Sequence, residues 1–168
     1  TTGEVKASSG LMNPQIRFGE DLMSRVSYVM MNPGGDDELT SAVRSALDTL
    51  VEDLCNDVET ELDADEVRNH IHDIVLVGNP VMHHLLLGID PTPLGAAPFT
   101  LTVGEPVDMR ATDLDLDLPY ARCHVGPCIA GHVGADAASA TLNERTHATV
   151  ELTLVVDVGT NAEIVLGD

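Results

Sequence analysis

The stretch that decides the fold is "LTLVVDVGTNAEIVLGD", residues 152–168. An apolar run leads into Asp157, the segment Gly159-Thr160-Asn161 follows, and a second apolar run begins at Ile164. Two apolar runs around a glycine-containing turn predict a strand–turn–strand hairpin. A tight turn directs several backbone N–H groups at one point, so Gly159, Thr160 and Asn161 are candidates for holding a phosphate.

Asp157 at the end of the first strand is the candidate catalytic residue. It is also the candidate Mg²⁺ site, through water, because Mg²⁺ prefers one or two carboxylates plus waters. Taken alone, a strand that ends in Asp-x-Gly-Thr is more typical of an ordinary hairpin than of a phosphate site.

Composition restricts the partners of the protein. The 168 residues carry 28 acidic and 8 basic side chains, a net charge of −20, and only 2% aromatic residues. Such a surface repels nucleic acid and anionic membranes, and no apolar run reaches the length of a membrane span. The three cysteines, Cys55, Cys123 and Cys128, have no zinc-binding spacing, so a reducing cytoplasmic location is expected.

Strands that alternate with helices along the chain predict an α/β fold. Apolar residues at helical spacing predict a long helix from about Asp37 to Glu59, packed on a strand at 73–78. We expect residues 73–78 and 152–158 to form central, buried strands in two different sheets or lobes. "DLDLDLP", residues 113–119, alternates apolar and acidic residues and predicts a half-buried strand.

The histidines and cysteines give no firm metal site at this stage. His83 and His84 are adjacent, so on a helix they point about 100° apart, which predicts that they do not share one small target. His70 and His72 are more typical of surface residues than of ligands. The group Cys123, His124, Cys128 and His132 matches no standard zinc spacing. In "AGHVGADAA", residues 130–138, the glycines favour close packing over anion binding.

Longer segments resemble a known family. "VVDVGTNAEIVLG" (155–167) resembles the second phosphate loop of the actin-like ATPase superfamily. "NPQIRFGEDLMSRV" (13–26), "VLVGNPVMHHLLLGIDPTPLGAAPF" (75–99) and "PCIAGHVGADA" (127–137) are similar, in the same order, to segments of the ATP-dependent reductive activators of corrinoid proteins. Those are iron–sulfur proteins with a C-terminal actin-like ATPase domain.

The resemblance implies a partial actin-like ATPase fold, also called ribonuclease H-like, with parts of two lobes. Residues 1–120 would belong to the first lobe, and residues 121–168 would begin the second lobe with its phosphate-loop hairpin. The first phosphate loop would lie on a hairpin that turns at Thr1-Thr2-Gly3 and continues into a strand at Glu4–Ser8. On this reading the chain is an internal fragment of the ATPase domain and is inactive alone.

The resemblance also implies ATP and Mg²⁺ as cofactors of the full-length protein, and a corrinoid protein as its partner. An iron–sulfur cluster is expected only in an upstream domain, because no set of four cysteines is present here. Two alternatives stay open: a small-molecule phosphotransferase of the actin-like kinase superfamily, and a non-catalytic interaction module on the same fold. A homodimer through unpaired sheet edges is a further expectation.

Overall fold

A computed structural model describes residues 2–146, 148, 150–158 and 162–167 of the chain. Helices and strands are mixed along it, as the sequence predicts. The elements are α1 (Leu22–Met31), α2 (Gly35–Asp57), α3 (Ala64–Asn69), β1 (Asp73–Leu76), α4 (Pro80–Leu87), β2 (Val107–Arg110), β3 (Arg122–Val125), α5 (Ala135–Glu144), β4 (Thr153–Val158) and β5 (Ala162–Gly167). No helix within these described ranges is both long enough and apolar enough to cross a membrane.

The strands form two separate sheets. One has the order β1-β3-β2, with β1 parallel and β2 antiparallel to β3. The other is the predicted hairpin, in which β4 and β5 pair antiparallel. β3, which follows the predicted lobe boundary at residue 121, is the middle strand of the first sheet; the boundary itself stays a prediction.

The prediction that both apolar strands are central and buried is wrong. Among the described strands, β1 pairs with β3 alone and lies at the edge of the sheet, and its Val75 is 68% exposed. In β4, Leu154, Val156 and Val158 are all exposed, together with Ile164 and Leu166 of β5. An apolar run indicates that a strand tends to be buried, but it does not indicate how many strands pair with it.

The long helix α2 runs from Gly35 to Asp57, close to the predicted bounds. Its side chains Val43, Leu47 and Val51 pack against a buried cluster under the three-stranded sheet, which includes Leu118 and Cys123. Leu39, an apolar residue of the same helical repeat, belongs instead to a second cluster between the helices. That second cluster contains Leu22, Val26, Leu39, Val81, Leu85 and Leu94.

Side chains of α2 fix the C-terminal end of α4. The Thr40 hydroxyl donates to the Leu85 carbonyl at 2.7 Å, and the Arg44 guanidinium donates to the Leu86 carbonyl at 2.9 and 3.0 Å. The last carbonyls of a helix have no partner inside the helix, and a cation suits the negative end of its dipole. α4 therefore has a fixed position relative to α2.

Two other predicted strands are absent. Only the first two residues of "DLDLDLP" lie in a helix, the 3₁₀ helix Ala111–Leu114, and turns and bends follow. Its burial still alternates, because Leu114, Leu116 and Leu118 are buried while the aspartates between them face water. Residues 4–8 pair with no strand in the described part of the chain, so they belong to neither sheet.

Candidate functional site

A cleft of about 260 Å³ lies where three helices begin and where the hairpin faces them. Helices α1, α4 and α5 each contribute residues from their first turn or cap, and β4 and β5 contribute one acidic residue each. The lining residues are Asn13, Glu20, Asp21, Leu22, Arg25, Asn79, Met82, His132, Asp136, Asp157 and Glu163. The cleft therefore combines helix N-termini with the predicted catalytic aspartate.

The first wall is the start of α1. Asp21 caps this helix, and its carboxylate accepts the backbone N–H of Ser24 at 2.7 Å. That hydrogen bond lowers the pKa of the Asp21 carboxyl, so Asp21 is an anion at neutral pH. Arg25, one turn further, is nearly buried and donates from Nε to the carbonyl of Gly19 at 3.1 Å. Desolvation lowers the pKa of Arg25, but an arginine stays charged in proteins.

The floor is formed where α4 and α5 begin side by side. Asn79 caps α4, with its Oδ1 accepting the backbone N–H of Met82 at 3.0 Å, and Pro80 occupies the first helical position. Gly134 precedes α5, and the N–H of Ala135 donates to the carbonyl of Gly78 at 3.1 Å. A Cβ on Gly134 would collide with the Gly78 oxygen and lie 2.7 Å from the Cα of Asn79. Glycine is therefore required for the two helices to approach this closely.

This result confirms the packing interpretation of the glycines in residues 130–138. A Cβ on Gly131 would lie 2.5 Å from the Phe99 oxygen, so that position is also a close approach of backbone to backbone. Asp136 does not cap α5, since Gly134 takes the cap position; it lies in the first turn and accepts the N–H of Ala137 at 2.9 Å.

The second wall is the hairpin. Asp157 of β4 lies directly opposite Glu163 of β5 in the antiparallel register, and both residues line the cleft. Like charges directly opposite each other on neighbouring strands are destabilising. A cation bound between or beside them would remove this repulsion.

The cleft is rich in carboxylates and poor in cations. Arg25 is the arginine that lines it, and the acidic residues that line it are Glu20, Asp21, Asp136, Asp157 and Glu163. Helix N-termini attract anions, but this many carboxylates repel a bare phosphate. The arrangement suits an anion that arrives together with a divalent cation.

The structure places Asp157 in this cleft, as the hairpin prediction requires. The predicted phosphate-binding residues Gly159, Thr160 and Asn161 lie outside the described residues, so their role stays a prediction. Sequence reasoning missed Asp21, Arg25 and Asn79. The available signal is the helix-start pattern, in which Asp or Asn precedes a helix; it can mark a single cap but does not show that several caps meet.

Cys123, His124, Cys128 and His132, whose spacing matches no standard zinc site, do not come together in the structure. His124 binds Asp108 at 2.8 Å through Nδ1, Cys123 is buried beneath the sheet, and the His132 ring lies against Phe99 with centroids 4.5 Å apart.

A different group does assemble, from His83, His84 and Cys128. One ligand atom from each lies within 4.8 Å of the others. The ligand atoms of His83 and His84 therefore lie closer together than the prediction from adjacent helical positions implies. The angle of about 100° separates their Cα–Cβ directions, whereas the imidazole rings extend beyond Cβ and can turn toward each other.

Comparison with known proteins shows the family. The sequence pattern of the RACo middle region matches residues 1–149, and the chain belongs to this family. The chain is 28% identical to the corrinoid activation enzyme RamQ of Eubacterium limosum, over 100% of its own length and 27% of that protein. It matches the solved structure of a reductive activator for corrinoid, iron-sulfur protein with a TM-score of 0.88 and 34% identity, over 99% of this chain and 26% of that one.

These matches confirm the resemblance to the reductive activators of corrinoid proteins. The chain spans about a quarter of the length of both relatives, since the matched shares are 27% and 26%. The activity of a whole activator is therefore a proposal for this chain.

Proposed function

We propose that this chain forms the phosphate-binding part of a nucleotide cleft in an ATP-dependent reductive activator of corrinoid proteins. The relatives named for corrinoid activation support the activator role. One observation carries the nucleotide assignment: the N-termini of α1, α4 and α5 converge on the cleft that Asp157 lines. Converging helix N-termini are a recurring means of binding phosphate.

The residues fit magnesium. Oxygen ligands from one or two carboxylates are what Mg²⁺ prefers, and Asp157 and Glu163 supply carboxylates at the same point of the hairpin. Asp157 is the residue that we propose holds the ion, through water. When bound, Mg²⁺ supplies positive charge that neutralises the phosphates and lets them enter an acidic cleft.

The remaining residues of the cleft orient the phosphates. Arg25 offers a fixed guanidinium, since its Nε is already bonded to the carbonyl of Gly19. α4 and α5 contribute the positive ends of their helix dipoles, since the N–H groups of Met82, Ala135 and Ala137 are already bonded within the protein. We assign the residues of the hairpin turn, Gly159, Thr160 and Asn161, to direct contact with phosphate. In this proposal the chain belongs to an actin-like fold whose two lobes enclose the nucleotide.

The proposed activity couples the nucleotide to electron transfer. Reduction of an inactive cobalt centre is an uphill one-electron step, so it needs an energy source. ATP binding supplies energy only if it favours one conformation over another, here closure of the two lobes. The electron would come from an iron–sulfur cluster elsewhere in the full-length protein. The free thiols Cys55, Cys123 and Cys128 support a reducing, cytoplasmic location.

Substitution of Asp157 in the full-length protein tests the assignment. Asp157→Asn keeps the shape and removes the charge, so ATP hydrolysis and corrinoid reduction should fall together, by roughly a hundredfold or more. Asp57→Asn, an exposed substitution at the end of α2, is the matched control and should leave both rates unchanged. Normal turnover by the Asp157→Asn protein with a lowered melting temperature would refute the assignment and leave Asp157 a structural residue.

A second test uses the chain alone. The cleft of about 260 Å³ is below the roughly 300–1,000 Å³ of pockets that bury a drug-sized ligand. We expect the isolated 168-residue chain to bind Mg-ATP weakly or not at all. Micromolar affinity by calorimetric titration would contradict this expectation.

Light scattering on the same sample tests the homodimer, for which the exposed apolar face of the hairpin is the proposed surface.

A further inference from the structure

Three buried side chains with metal-binding atoms meet between α4 and the segment that follows β3. They are His83, His84 and Cys128, whose ligand atoms all lie within 4.8 Å of one another. The three residues are 3%, 0% and 7% exposed, respectively. We propose that His83, His84 and Cys128 bind one Zn²⁺ ion. This inference does not depend on the proposed nucleotide function, because none of the three residues lines the cleft.

His83 provides the clearest sign that a ligand is missing. Both of its ring nitrogens, Nδ1 and Nε2, are buried without a hydrogen-bond partner. A buried polar group without a partner costs about 1–3 kcal/mol, so a folded protein rarely keeps one that it does not use. Desolvation, with a contribution from His84, lowers the pKa of His83 to about 4. The ring is therefore neutral at physiological pH, and no proton competes with a metal for its lone pair.

His84 is already arranged as a metal-binding histidine. Its Nδ1 lies 2.7 Å from the Pro80 carbonyl oxygen, which can only accept, so Nδ1 carries the proton and donates it. Histidines that bind metals typically donate their other N–H to a backbone carbonyl in this way. The Nε2 lone pair now accepts the backbone N–H of Thr102 at 3.1 Å. Thr102 is exposed, so its N–H can bond to water when a metal takes that lone pair.

Cys128 supplies the third ligand and determines which metal fits. Its backbone N–H donates to the carbonyl of Gly104 at 2.9 Å, which fixes the residue beside α4. Burial, followed by the charge of Asp136, raises the pKa of the Cys128 thiol to about 11, so the free thiol is protonated. Metal binding forms the sulfur–metal bond and releases this proton to solvent. Two imidazoles and a thiolate suit Zn²⁺ and do not suit Mg²⁺ or Ca²⁺, which take oxygen ligands.

The ligand atoms must approach one another for the ion to bind. Zinc bond lengths of about 2.0–2.3 Å place tetrahedral ligands roughly 3.3–3.6 Å apart, compared with separations of up to 4.8 Å here. His83 also borders a cavity of about 80 Å³ with mainly apolar walls, so its ring has space to turn. Side-chain rotation is then enough to close the site.

Such a site would join α4 to the segment that leads into α5. Both helices begin at the cleft, so the ion would tie together the two helices that form the floor of the cleft. The fourth position of the ion would stay open to water or another ligand, because three protein ligands are present.

Zinc content of the full-length protein tests the proposal. Competition with a chromophoric chelator should show one high-affinity Zn²⁺ per chain that is absent from His83→Ala and Cys128→Ser. We expect each of these two substitutions to weaken zinc binding about a hundredfold or more. Substitution of a residue that only supports a metal ligand costs up to about a hundredfold, and these two residues are ligands themselves. Cys123→Ser, another buried cysteine, is the matched control and should keep the ion. Equal zinc content and affinity in all four proteins would overturn the proposal.

A measurement on the unsubstituted protein covers the case in which a variant does not fold. Thiol alkylation, read by peptide mass spectrometry at increasing temperature, should show that added Zn²⁺ slows labelling of Cys128 at least about tenfold. Cys55 and Cys123 are internal references whose labelling should not change at temperatures where the protein stays folded. If zinc protects Cys128 no more than the two references, the three residues form no zinc site.

Discussion

Gly134→Ala should separate α4 from α5 at the floor of the cleft. The new Cβ would collide with the Gly78 carbonyl oxygen and lie 2.7 Å from the Asn79 Cα and 2.9 Å from Asp136 Oδ1. The first two obstacles are backbone atoms, which cannot move aside by changing a rotamer. Overpacking costs typically 1–3 kcal/mol, and a collision with two backbone groups belongs at the upper end, at about 3 kcal/mol.

Hydrogen exchange localises this cost. Amides of α5 should exchange about a hundredfold faster in the Gly134→Ala protein, because every 1.4 kcal/mol changes an equilibrium about tenfold. The matched control is Gly10→Ala, where no atom lies within 4 Å of the new Cβ, and its exchange in α5 should equal that of the unsubstituted protein. Equal exchange in both variants would refute the close-approach argument.

Four further substitutions test the helix caps and the core. Asp63→Ala removes the capping box of α3 and should lower stability by about 1 kcal/mol in a urea titration. Leu118→Ala, at a fully buried position, should cost about 3 kcal/mol, whereas Leu62→Ala, at a 43% exposed position, should cost well under half of that. The hydrogen bond from the Ser24 N–H lowers the pKa of Asp21 from 3.8. The stabilisation that this hydrogen bond gives is present above pH 3.8 and is lost as pH falls through the lowered pKa. Asp21→Asn should therefore flatten that part of the plot of melting temperature against pH.

Local signals in the sequence predict local structure well. Asp63 and Glu66 predict a capping box, and both reciprocal hydrogen bonds are present, at 2.8 and 3.2 Å. Pro80 predicts the start of α4, which begins there. Each of these features depends on residues within one helical turn, so the sequence pattern contains all the information that decides them.

The failures arise where burial is set by distant parts of the chain. Alternating leucines in residues 113–119 predict a strand, but a 3₁₀ helix followed by turns can bury the same side chains. The apolar run of β1 predicts a central strand, yet among the described strands β1 pairs with β3 alone and lies at the edge of the sheet. The periodicity of apolar residues indicates which side chains avoid water. More than one backbone conformation can bury those side chains.

The candidate site shows the same division. The sequence singles out Asp157 as a candidate because this residue lies inside one recognisable hairpin, and its catalytic role stays a prediction. The contributions of Asp21 and Asn79 could not be predicted, because each is an ordinary helix cap in sequence and becomes part of a site only when three helices meet. The meeting of His83 and Cys128 depends likewise on packing across 45 residues of chain.

The continuity of α2 has a mechanical consequence. This helix of 23 residues, roughly 35 Å long, reaches from the cluster around Leu39 to the cluster under the sheet. After Gly35 it contains neither glycine nor proline, so nothing in its sequence favours a kink. The helix therefore holds the two hydrophobic clusters together as one rigid body. Leu22 and Val81, at the starts of α1 and α4, belong to this rigid body, so the parts of the cleft that these two helices supply keep their positions relative to each other.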